Sequence, residues 1–194
     1  FGHTAQDRVF GDAAYWTALF KRLHASGTPF RQLDRLAGMP SPIFQTWLQH
    51  PTRDAYWASY NPTPADFARM DLPILSITGH YDGDQPGALA YYRAHMAAAD
   101  ATQRARHFLV IGPWDHAGTR TPQLEVGGLK FGAASQLDMN DLHRQWYDWT
   151  LKAGKQPQFL QSAVTWYITG AEQWRRSASL AAVTAGERTL YLGS

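Results

Sequence analysis

The sequence predicts an α/β fold in which short helices lead into a parallel sheet and a β-rich segment ends the chain. Three observations support this class. Amphipathic helical patterns separated by Pro and Gly fill the first third. Two mostly apolar runs, at 74–78 and 107–112, then flank a helical pattern, which is typical of neighbouring strands in a parallel sheet. Beyond Pro157, apolar and polar residues alternate, which indicates a half-buried antiparallel strand.

The first third of the chain predicts four short helices. In the segment 12–27, apolar residues recur at helical spacing between an N-capping Asp and a terminating Gly. The segments 30–38 and 43–51 follow the same pattern and end at a Gly and a Pro, respectively. The segment 52–60 predicts a fourth helix, with Thr52 as its cap.

The remainder of the chain predicts the sheet and its covering helices. Pro73 stands at the start of the first apolar run, where a strand tolerates proline. Residues 86–99 predict the helix that joins the two runs, and residues 137–154 predict a last helix. The segment 162–170 and "RTLYLG" (188–193) predict the first strands of a separate β domain that is cut off.

Composition limits the class of protein and its partners. The 194 residues are 44% hydrophobic, which is enough for one sizeable core. The net charge of +2 and the absence of a basic cluster argue against nucleic acid or an anionic membrane as partner. No apolar run approaches the roughly 20 residues that span a bilayer. Because the sequence has no Cys, disulfides and thiolate metal sites are excluded, and the compartment is left open.

Each strand of the predicted parallel sheet ends in a loop that carries a candidate catalytic group. "GHYDG" places Asp82 after the first strand, and "GPWDHAG" places His116 after the second. In open parallel sheets, functional groups collect beyond the carboxyl ends of the strands. An Asp that orients a His, which in turn deprotonates a Ser, is the logic of the Ser-His-Asp triad. In α/β-hydrolases the acid and the His follow the nucleophile in this order.

No serine of the sequence fits the position of the nucleophile. The nucleophile elbow requires a Gly two residues before the Ser, because the turn there is too tight for a side chain. Met39 stands at that position before Ser41, Ile74 stands there before Ser76, and the remaining serines also lack the Gly. We therefore expect the nucleophile upstream of Phe1, and we interpret the chain as an internal piece of a longer protein.

The two loops resemble those of the cocaine esterase and X-Pro dipeptidyl-peptidase-like hydrolases, a family that includes α-amino-acid ester hydrolases and β-lactam acylases. Its members typically carry a Gly-aromatic-Asp loop followed by Gly-Pro-Trp-x-His. "FQTWLQHPTRDAYW" (44–57) is similar to the last segment of the family's helical cap. "WYITGAEQWRRSASL" (166–180) resembles the entry to its C-terminal jelly-roll domain. The resemblance implies that Asp82 is the triad acid and that His116 is the general base.

The resemblance also implies a domain organisation and a missing part. It implies a helical cap segment at 1–66, the C-terminal portion of an α/β-hydrolase core at 67–156 and the start of a truncated β jelly-roll domain at 157–194. The elbow Ser and the oxyanion-hole donors of the family belong to the N-terminal half of the hydrolase domain, which the sequence lacks.

Asp84 is a rival acid with two open interpretations. It precedes "QPGAL" and is well placed to cap the following helix. In the amino-acid ester hydrolase branch, acidic residues just after the triad Asp help bind the substrate's ammonium group. Only Asp84 matches that pattern, since Gln85 stands where a second acid is expected. Tyr81 and Trp114, which lie within the two motifs, are further candidates for substrate binding.

Two other assignments do not fit the pattern. Asp115 adjoins His116, but the side chains of adjacent loop residues usually diverge. The carboxylates and imidazole of "HYDGD" (80–84) suggest a calcium loop, yet counting from Asp82 places Arg93 where an EF-hand needs a Glu. The sequence has no HExxH or paired-His spacing. It therefore predicts no metal site.

These features predict part of a serine hydrolase that cleaves ester or amide bonds, of acyl or X-Pro dipeptidyl type, without a cofactor. The alternative is a catalytically inert fragment or a non-catalytic binding module on the same scaffold. The expected partner is a small-molecule ester or amide, and neither nucleic acid nor a membrane is expected. Because a truncated sheet leaves apolar faces uncovered, we also expect association into a homo-oligomer.

Overall fold

The computed structural model describes residue 9, residues 11–184, residue 186 and residues 189–191. The chain divides into two compact units, Phe1–Asn61 and Pro62–Ser194. Among the described residues, no helix is long and apolar enough to cross a bilayer.

The first unit is helical, as the sequence predicts. Its helices are α1 Ala13–Ala25, α2 Leu33–Leu36, α3 Pro42–Gln49 and α4 Ala55–Ala58. A 3-10 turn at Phe30–Gln32 leads directly into α2.

Side chains cap three of these helices. Asp12 caps α1 and Ser41 caps α3, each by accepting a backbone N–H of the first turn. The cap of α4 is Asp54, so the prediction of Thr52 is wrong, because Thr52 lies three residues before the helix begins. The carboxylate of Asp54 also lies 2.6 Å from Nδ1 of His50, which fixes the turn between α3 and α4.

The second unit combines a sheet with helices. Its elements in chain order are α5 Pro64–Ala68, β1 Ile74–Gly79, α6 Gln85–Ala98, α7 Ala101–Arg104, β2 His107–Gly112, β3 Glu125–Val126, β4 Leu129–Lys130, α8 Met139–Lys152, β5 Val164–Ile168 and β6 Gln173–Ser177. Both predicted strands of the parallel sheet, the helix between them and the helix after the second strand are confirmed. The short helix α5, which has a capping box of Thr63 and Asp66, was not predicted.

The main sheet has the strand order β1-β2-β5-β6. β1 and β2 are parallel and in register from Ile74 opposite His107 to Gly79 opposite Gly112. β5 continues the sheet in parallel beside β2, and β6 pairs antiparallel with β5. The parallel sheet of an α/β fold is thus confirmed, and β1 and β2 end at the same edge.

β2 is buried along its whole length because side chains cover both of its faces. Phe108 and Val110 pack on one face against residues of α8. Leu109 and Ile111 pack on the opposite face against Tyr92 of α6. This alternation within a continuous apolar run explains why the sequence showed no polar face, as expected for a parallel strand between two layers.

After Pro157, the described strands β5 and β6 belong to the same sheet as β1 and β2. The alternation that predicted a half-buried strand is misleading at Thr165. Its side chain is fully buried, and its hydroxyl donates to the carbonyl of Phe159 at 3.3 Å. The start of a jelly roll is therefore not confirmed.

The other predictions for this region are only partly covered by the structure. Of the predicted strand at 188–193, residues 188, 192 and 193 lie outside the described residues, and residues 189–191 have no regular secondary structure. The functional division at 66/67 and 156/157 stays a prediction of domain organisation.

β1 lies at the edge of the sheet, where β2 is its single pairing partner among the described residues. Leu75 and Ile77 of this strand are half-buried. We expect the isolated chain to self-associate, because an apolar edge strand offers unpaired backbone groups to a second chain. Light scattering after size-exclusion chromatography should show a mass that rises with concentration. A monodisperse monomer with a sharp, high-temperature unfolding transition would contradict this expectation.

A buried pair of histidines links α6 to the sheet. Nε2 of His107 lies 2.9 Å from Oγ of Ser76, and its Nδ1 lies 3.0 Å from Nδ1 of His95. Both imidazoles are fully buried. Burial lowers the pKa of His107 to about 4, with a smaller contribution from the neighbouring His95, whose own pKa burial also lowers. The pair is therefore neutral in the folded protein at pH 7.

The free energy of unfolding should fall as the pH is lowered from about 6.5 to 4. In this range the unfolded chain binds a proton at His107 that the folded chain does not bind, so acid favours unfolding. The shift from 6.5 to about 4 corresponds to about 3 kcal/mol at most. Urea denaturation across this range should show the loss, and His107→Gln should reduce it. His24→Gln, at an exposed position of α1, should leave it unchanged.

Candidate active site

The two predicted site loops run side by side beyond the ends of β1 and β2. The backbone N–H of His80 donates to the carbonyl of Gly112 at 2.8 Å, and that of Tyr81 donates to the carbonyl of Trp114 at 3.0 Å. Residues 80–84, the acid loop, are thereby aligned with residues 113–118, the histidine loop. The parallel register of the strands continues into the loops and brings their side chains together.

Trp114 fills the space between the two loops and is fully buried. A Cβ at Gly79 would lie 2.0 Å from the Trp114 carbonyl oxygen, and a Cβ at Gly112 would lie 2.3 Å from its ring. A Cβ at Gly118 would lie 2.6 Å from the Cβ of Trp114. Since real Cβ atoms do not approach other atoms so closely, glycine is required at these positions by packing rather than by backbone angles.

The carboxylate of Asp82 is buried and accepts three hydrogen bonds. Oδ1 accepts from the backbone N–H of Asp84 at 2.9 Å and lies 3.2 Å from Nδ1 of His116. Oδ2 accepts from the hydroxyl of Thr78 at 3.1 Å. Burial alone would raise the pKa of Asp82, but the hydrogen bonds from Asp84, His116 and Thr78 together outweigh it, and the pKa is lowered. Asp82 is therefore ionised at neutral pH.

The imidazole of His116 is held at one nitrogen and open at the other. Its Nδ1 faces Asp82, while 57% of the side chain is exposed. Since ionised Asp82 can only accept, Nδ1 carries a proton, and in the neutral form of the ring Nε2 has the free lone pair. Within the part of the chain that the structure describes, Nε2 has no hydrogen-bond partner. The neighbouring Asp115 accepts from the backbone N–H of Gly118 at 2.8 Å and fixes the loop instead.

Asp84 also reaches His116, which corrects the interpretation of Asp84 as a helix cap. It occupies the N-cap position of α6, but its side chain makes no capping hydrogen bond. Its Oδ2 lies 3.3 Å from Nδ1 of His116, and 80% of the side chain is exposed. The structure thus places both acids beside the same imidazole nitrogen, one buried and one in solvent.

The two aromatic candidates for substrate binding occupy different environments. Tyr81 is 41% exposed, and its ring stacks on Phe131 with centroids 5.9 Å apart. Trp114 is fully buried, and its Nε1 donates to the carbonyl of Ser135 at 2.9 Å. A ring without exposed surface cannot contact a substrate. The expectation that Trp114 binds substrate is therefore replaced by a role in packing, whereas Tyr81 remains a candidate.

Two residues of this region were not found from the sequence. Thr78 holds the second oxygen of Asp82 and lies near the end of β1, four residues before the acid. A polar residue at that position was a usable signal. Phe131 supports Tyr81 from 50 residues further along the chain, and no local pattern pointed to it.

Asp82, Asp84 and His116 also form a set of potential metal ligands. One ligand atom from each lies within 4.8 Å of the others. A hydrogen-bonded Asp–His pair beside a second carboxylate brings the same atoms together, and Asp82 already has a donor for each oxygen. The contacts of Asp82 are thus those of a carboxylate that orients an imidazole, and we propose no metal centre.

A parallel sheet that holds an Asp and a His on adjacent loops at its carboxyl edge is the arrangement of the α/β-hydrolases. Comparison with solved structures supports this fold. An α-amino acid ester hydrolase superposes with a TM-score of 0.61 at 24% identity, over 77% of this chain and 24% of its own. An aminopeptidase from the marine sediment archaeon Thaumarchaeota archaeon gives 0.57 at 23% identity, over 71% of this chain and 23% of its own.

The profile of the X-Pro dipeptidyl-peptidase (S15) family matches residues 3–118, which include both Asp82 and His116. The chain belongs to this family. It spans about a quarter of the length of the two solved proteins. No significant match was found among curated proteins.

Gly79→Ala should destabilise the protein, because the new Cβ would collide with the Trp114 carbonyl that accepts the Tyr81 N–H. We expect a loss of about 1–3 kcal/mol, the usual cost of overpacking. The control is Gly83→Ala in the adjoining acid loop, where nothing lies within 4 Å of the new Cβ. It should change the stability by less than about 0.5 kcal/mol. Urea denaturation midpoints of the two variants compare these costs directly, and equal midpoints would contradict the packing argument.

Proposed function

We propose that this chain supplies the acid and the general base of a Ser-His-Asp triad in a serine hydrolase of esters or amides. The observation that carries the proposal is the contact of 3.2 Å between Oδ1 of Asp82 and Nδ1 of His116, with Nε2 of the same ring left open. This is the arrangement that a triad requires before the nucleophile is added. Membership of the S15 family supports a hydrolase.

In this mechanism, Nε2 of His116 takes the proton of a Ser hydroxyl as its oxygen attacks the acyl carbon. Asp82 accepts the Nδ1–H of His116, holds the ring in the correct tautomer and stabilises the imidazolium that forms. The imidazolium then gives its proton to the leaving group, which departs and leaves an acyl-enzyme. Water then attacks the acyl-enzyme in the same way, with Nε2 of His116 taking its proton. This second half of the reaction releases the carboxylic acid product and restores the Ser hydroxyl. Asp82 remains ionised throughout, in accord with its lowered pKa.

The nucleophile of this proposal lies outside these 194 residues. No Ser of the chain has a Gly two residues before it, so none can occupy a nucleophile elbow. The chain also spans only about a quarter of its solved relatives. Loss of the nucleophile costs roughly 10⁶-fold in turnover in a dissected serine protease. We therefore infer that the chain alone is inactive.

The substrate class that we propose is an ester or amide whose acyl group carries a free amino group. The names of the two solved relatives, an α-amino acid ester hydrolase and an aminopeptidase, both refer to such substrates. Asp84 offers an exposed carboxylate next to His116 that can pair with an ammonium group. Tyr81, the residue before Asp82, offers an exposed aromatic surface.

In the protein that carries the nucleophile, replacing Asp82 with Asn should lower kcat, whereas replacing Asp84 with Asn should mainly raise KM. Asp82→Asn should lower kcat about 10⁴-fold, because the imidazole loses the acceptor that fixes its tautomer. Asp84→Asn should raise KM for an amino-acid ester severalfold and leave the hydrolysis of p-nitrophenyl acetate nearly unchanged. Asp115→Asn is the matched control, since an Asn still accepts the N–H of Gly118. A larger loss of kcat in Asp84→Asn than in Asp82→Asn would reverse the assignment.

The alternative of a non-catalytic binding module is tested by a fluorophosphonate probe. Covalent labelling of the protein that carries the nucleophile, abolished by His116→Ala, supports the hydrolase, whereas no labelling favours the binding module. Treatment with EDTA should leave turnover unchanged. The 194-residue chain by itself should show no saturable turnover of p-nitrophenyl acetate. Turnover by the chain alone that disappears in His116→Ala would instead reveal a nucleophile within it.

A further inference from the structure

Glu172 adopts a backbone conformation that side chains rarely take. It lies in the turn between β5 and β6, with a φ of +53°. The left-handed region costs free energy for a residue with a long side chain, and Gly, Asn or Asp is usual there. Such strain persists where surrounding contacts compensate for it, and it often marks a residue with a function.

The carboxylate of Glu172 accepts three hydrogen bonds, two from backbone N–H groups and one from a hydroxyl. Oε2 accepts from the backbone N–H of Gly132 and, at 2.8 Å, from the hydroxyl of Tyr167. Oε1 accepts from the backbone N–H of Gly170 at 2.8 Å. The hydrogen bond from Gly132, followed by those from Tyr167 and Gly170, lowers the pKa of Glu172. Burial, and then the adjacent carboxylate, raises the pKa of Tyr167 to about 12.

The contact with Gly132 is one of three side-chain contacts that hold residues 131–135, which we call the wall segment, and the backbone N–H of Phe131 also donates to the carbonyl of Leu124 at 2.9 Å. Nε1 of Trp174 donates to the carbonyl of Ala134 at 2.7 Å. Nε1 of Trp114 donates to the carbonyl of Ser135 at 2.9 Å. The contact from Glu172 is the one that lies next to Phe131, at the end of the segment that meets the site.

The wall segment supports the acid loop at Tyr81. The ring of Phe131, which is 9% exposed, stacks against the ring of Tyr81 at an interplanar angle of 29°. A second connection runs through Tyr167, whose carbonyl lies 2.8 Å from Nε2 of His80. Glu172 is therefore joined to both residues that precede Asp82 in the acid loop, through Gly132 and Phe131 on one side and through Tyr167 on the other.

We propose that Glu172 is a positioning residue that sets the substrate preference of the site. It holds the wall segment so that Phe131 supports Tyr81, and the exposed face of Tyr81 then forms a fixed aromatic surface beside Asp82 for the acyl group. An acyl group with an aromatic ring gains most from such a surface, since it can stack on it. This inference rests on the proposed hydrolase function, because it assigns the surface to an acyl group.

Glu172→Gln is the sharpest test because it preserves size and removes one acceptor. Whichever way the amide turns, its NH₂ faces the N–H of Gly132 or that of Gly170, and two donors cannot pair. The contacts that the amide oxygen keeps also lose the negative charge that strengthens them. The control is Glu125→Gln, an exposed position of β3 in the same unit. Tyr167→Phe is a milder variant that removes one donor and retains both backbone contacts.

Two measurements on the protein that carries the nucleophile test the proposal. Hydrogen exchange followed by mass spectrometry should show the peptide that spans the wall segment exchanging at least about tenfold faster in Glu172→Gln than in the wild type or Glu125→Gln. KM for p-nitrophenyl phenylacetate should rise about tenfold in Glu172→Gln, and KM for p-nitrophenyl acetate should change less than about twofold. kcat for both esters should stay within about threefold, because the Asp82–His116 contact is retained. Tyr167→Phe should change both readouts in the same direction and by less.

The outcomes separate this inference from the proposed function. Unchanged exchange in Glu172→Gln overturns the inference, whether or not the protein is active. Faster exchange with an equal change in KM for both esters also overturns it, because the contact would then support the fold alone. If the wild type hydrolyses neither these esters nor an amino-acid ester, the proposed function fails, while the exchange result still decides whether Glu172 holds the wall segment. If Glu172→Gln does not fold, Tyr167→Phe decides by the same two readouts.

Discussion

The packing of Trp114 against three glycines is the constraint on which the candidate site depends. The side chain occupies the volume that Gly79, Gly112 and Gly118 leave empty, while its carbonyl accepts the N–H of Tyr81. One residue of the histidine loop therefore sets the distance to the acid loop. Because the ring is fully buried and its Nε1 is bound to Ser135, it has no alternative position nearby. The contact between Asp82 and His116 follows from this arrangement.

Burial decides which of the two acids can orient the imidazole. Asp82 and Asp84 lie at nearly equal distances from Nδ1 of His116, at 3.2 and 3.3 Å. The side chain of Asp82 is 5% exposed and is held by Thr78 and by the N–H of Asp84, so its carboxylate has one orientation. Asp84 is 80% exposed, and solvent screens its charge and allows its side chain to turn. The immobile carboxylate of Asp82 is therefore suited to fix the tautomer of the imidazole, whereas the exposed carboxylate of Asp84 is accessible to an ammonium group.

The sequence was sufficient for the elements whose signals are local. β1 and β2 were predictable because a mostly apolar run ends at a Gly in each, and the parallel register then brings Asp82 and His116 to one edge. Sequence patterns were misleading where a tertiary contact gives a residue a different environment from the one that its position in the pattern indicates. Thr165 looks like a solvent-facing residue and is buried, because the carbonyl of Phe159 accepts its hydroxyl. Asp84 has the position of a helix cap and contacts the imidazole instead.

Contacts between distant segments were beyond the reach of sequence patterns. Phe131 lies in a region that shows no periodicity, and its stacking on Tyr81 depends on how residues 121–136 return to the sheet. Glu172 lies 40 residues from Gly132, and nothing in "GAEQW" shows that its carboxylate accepts from that N–H. For Trp114, the motif that marked it as functional could not show whether its ring lies in the site or beneath it.

The position of β5 in the main sheet explains how residues beyond Pro157 support the site. β5 was assigned to a separate domain, but it pairs with β2 and thereby carries Tyr167 to the edge where the acid loop lies. Through its carbonyl and its hydroxyl, Tyr167 joins His80 to Glu172. A strand that belonged to an independent domain could move relative to the site, and these two contacts would then be lost. Since β5 is part of the same sheet, the geometry around Asp82 depends on a segment 80 residues further along the chain, and any truncation before residue 164 would remove it.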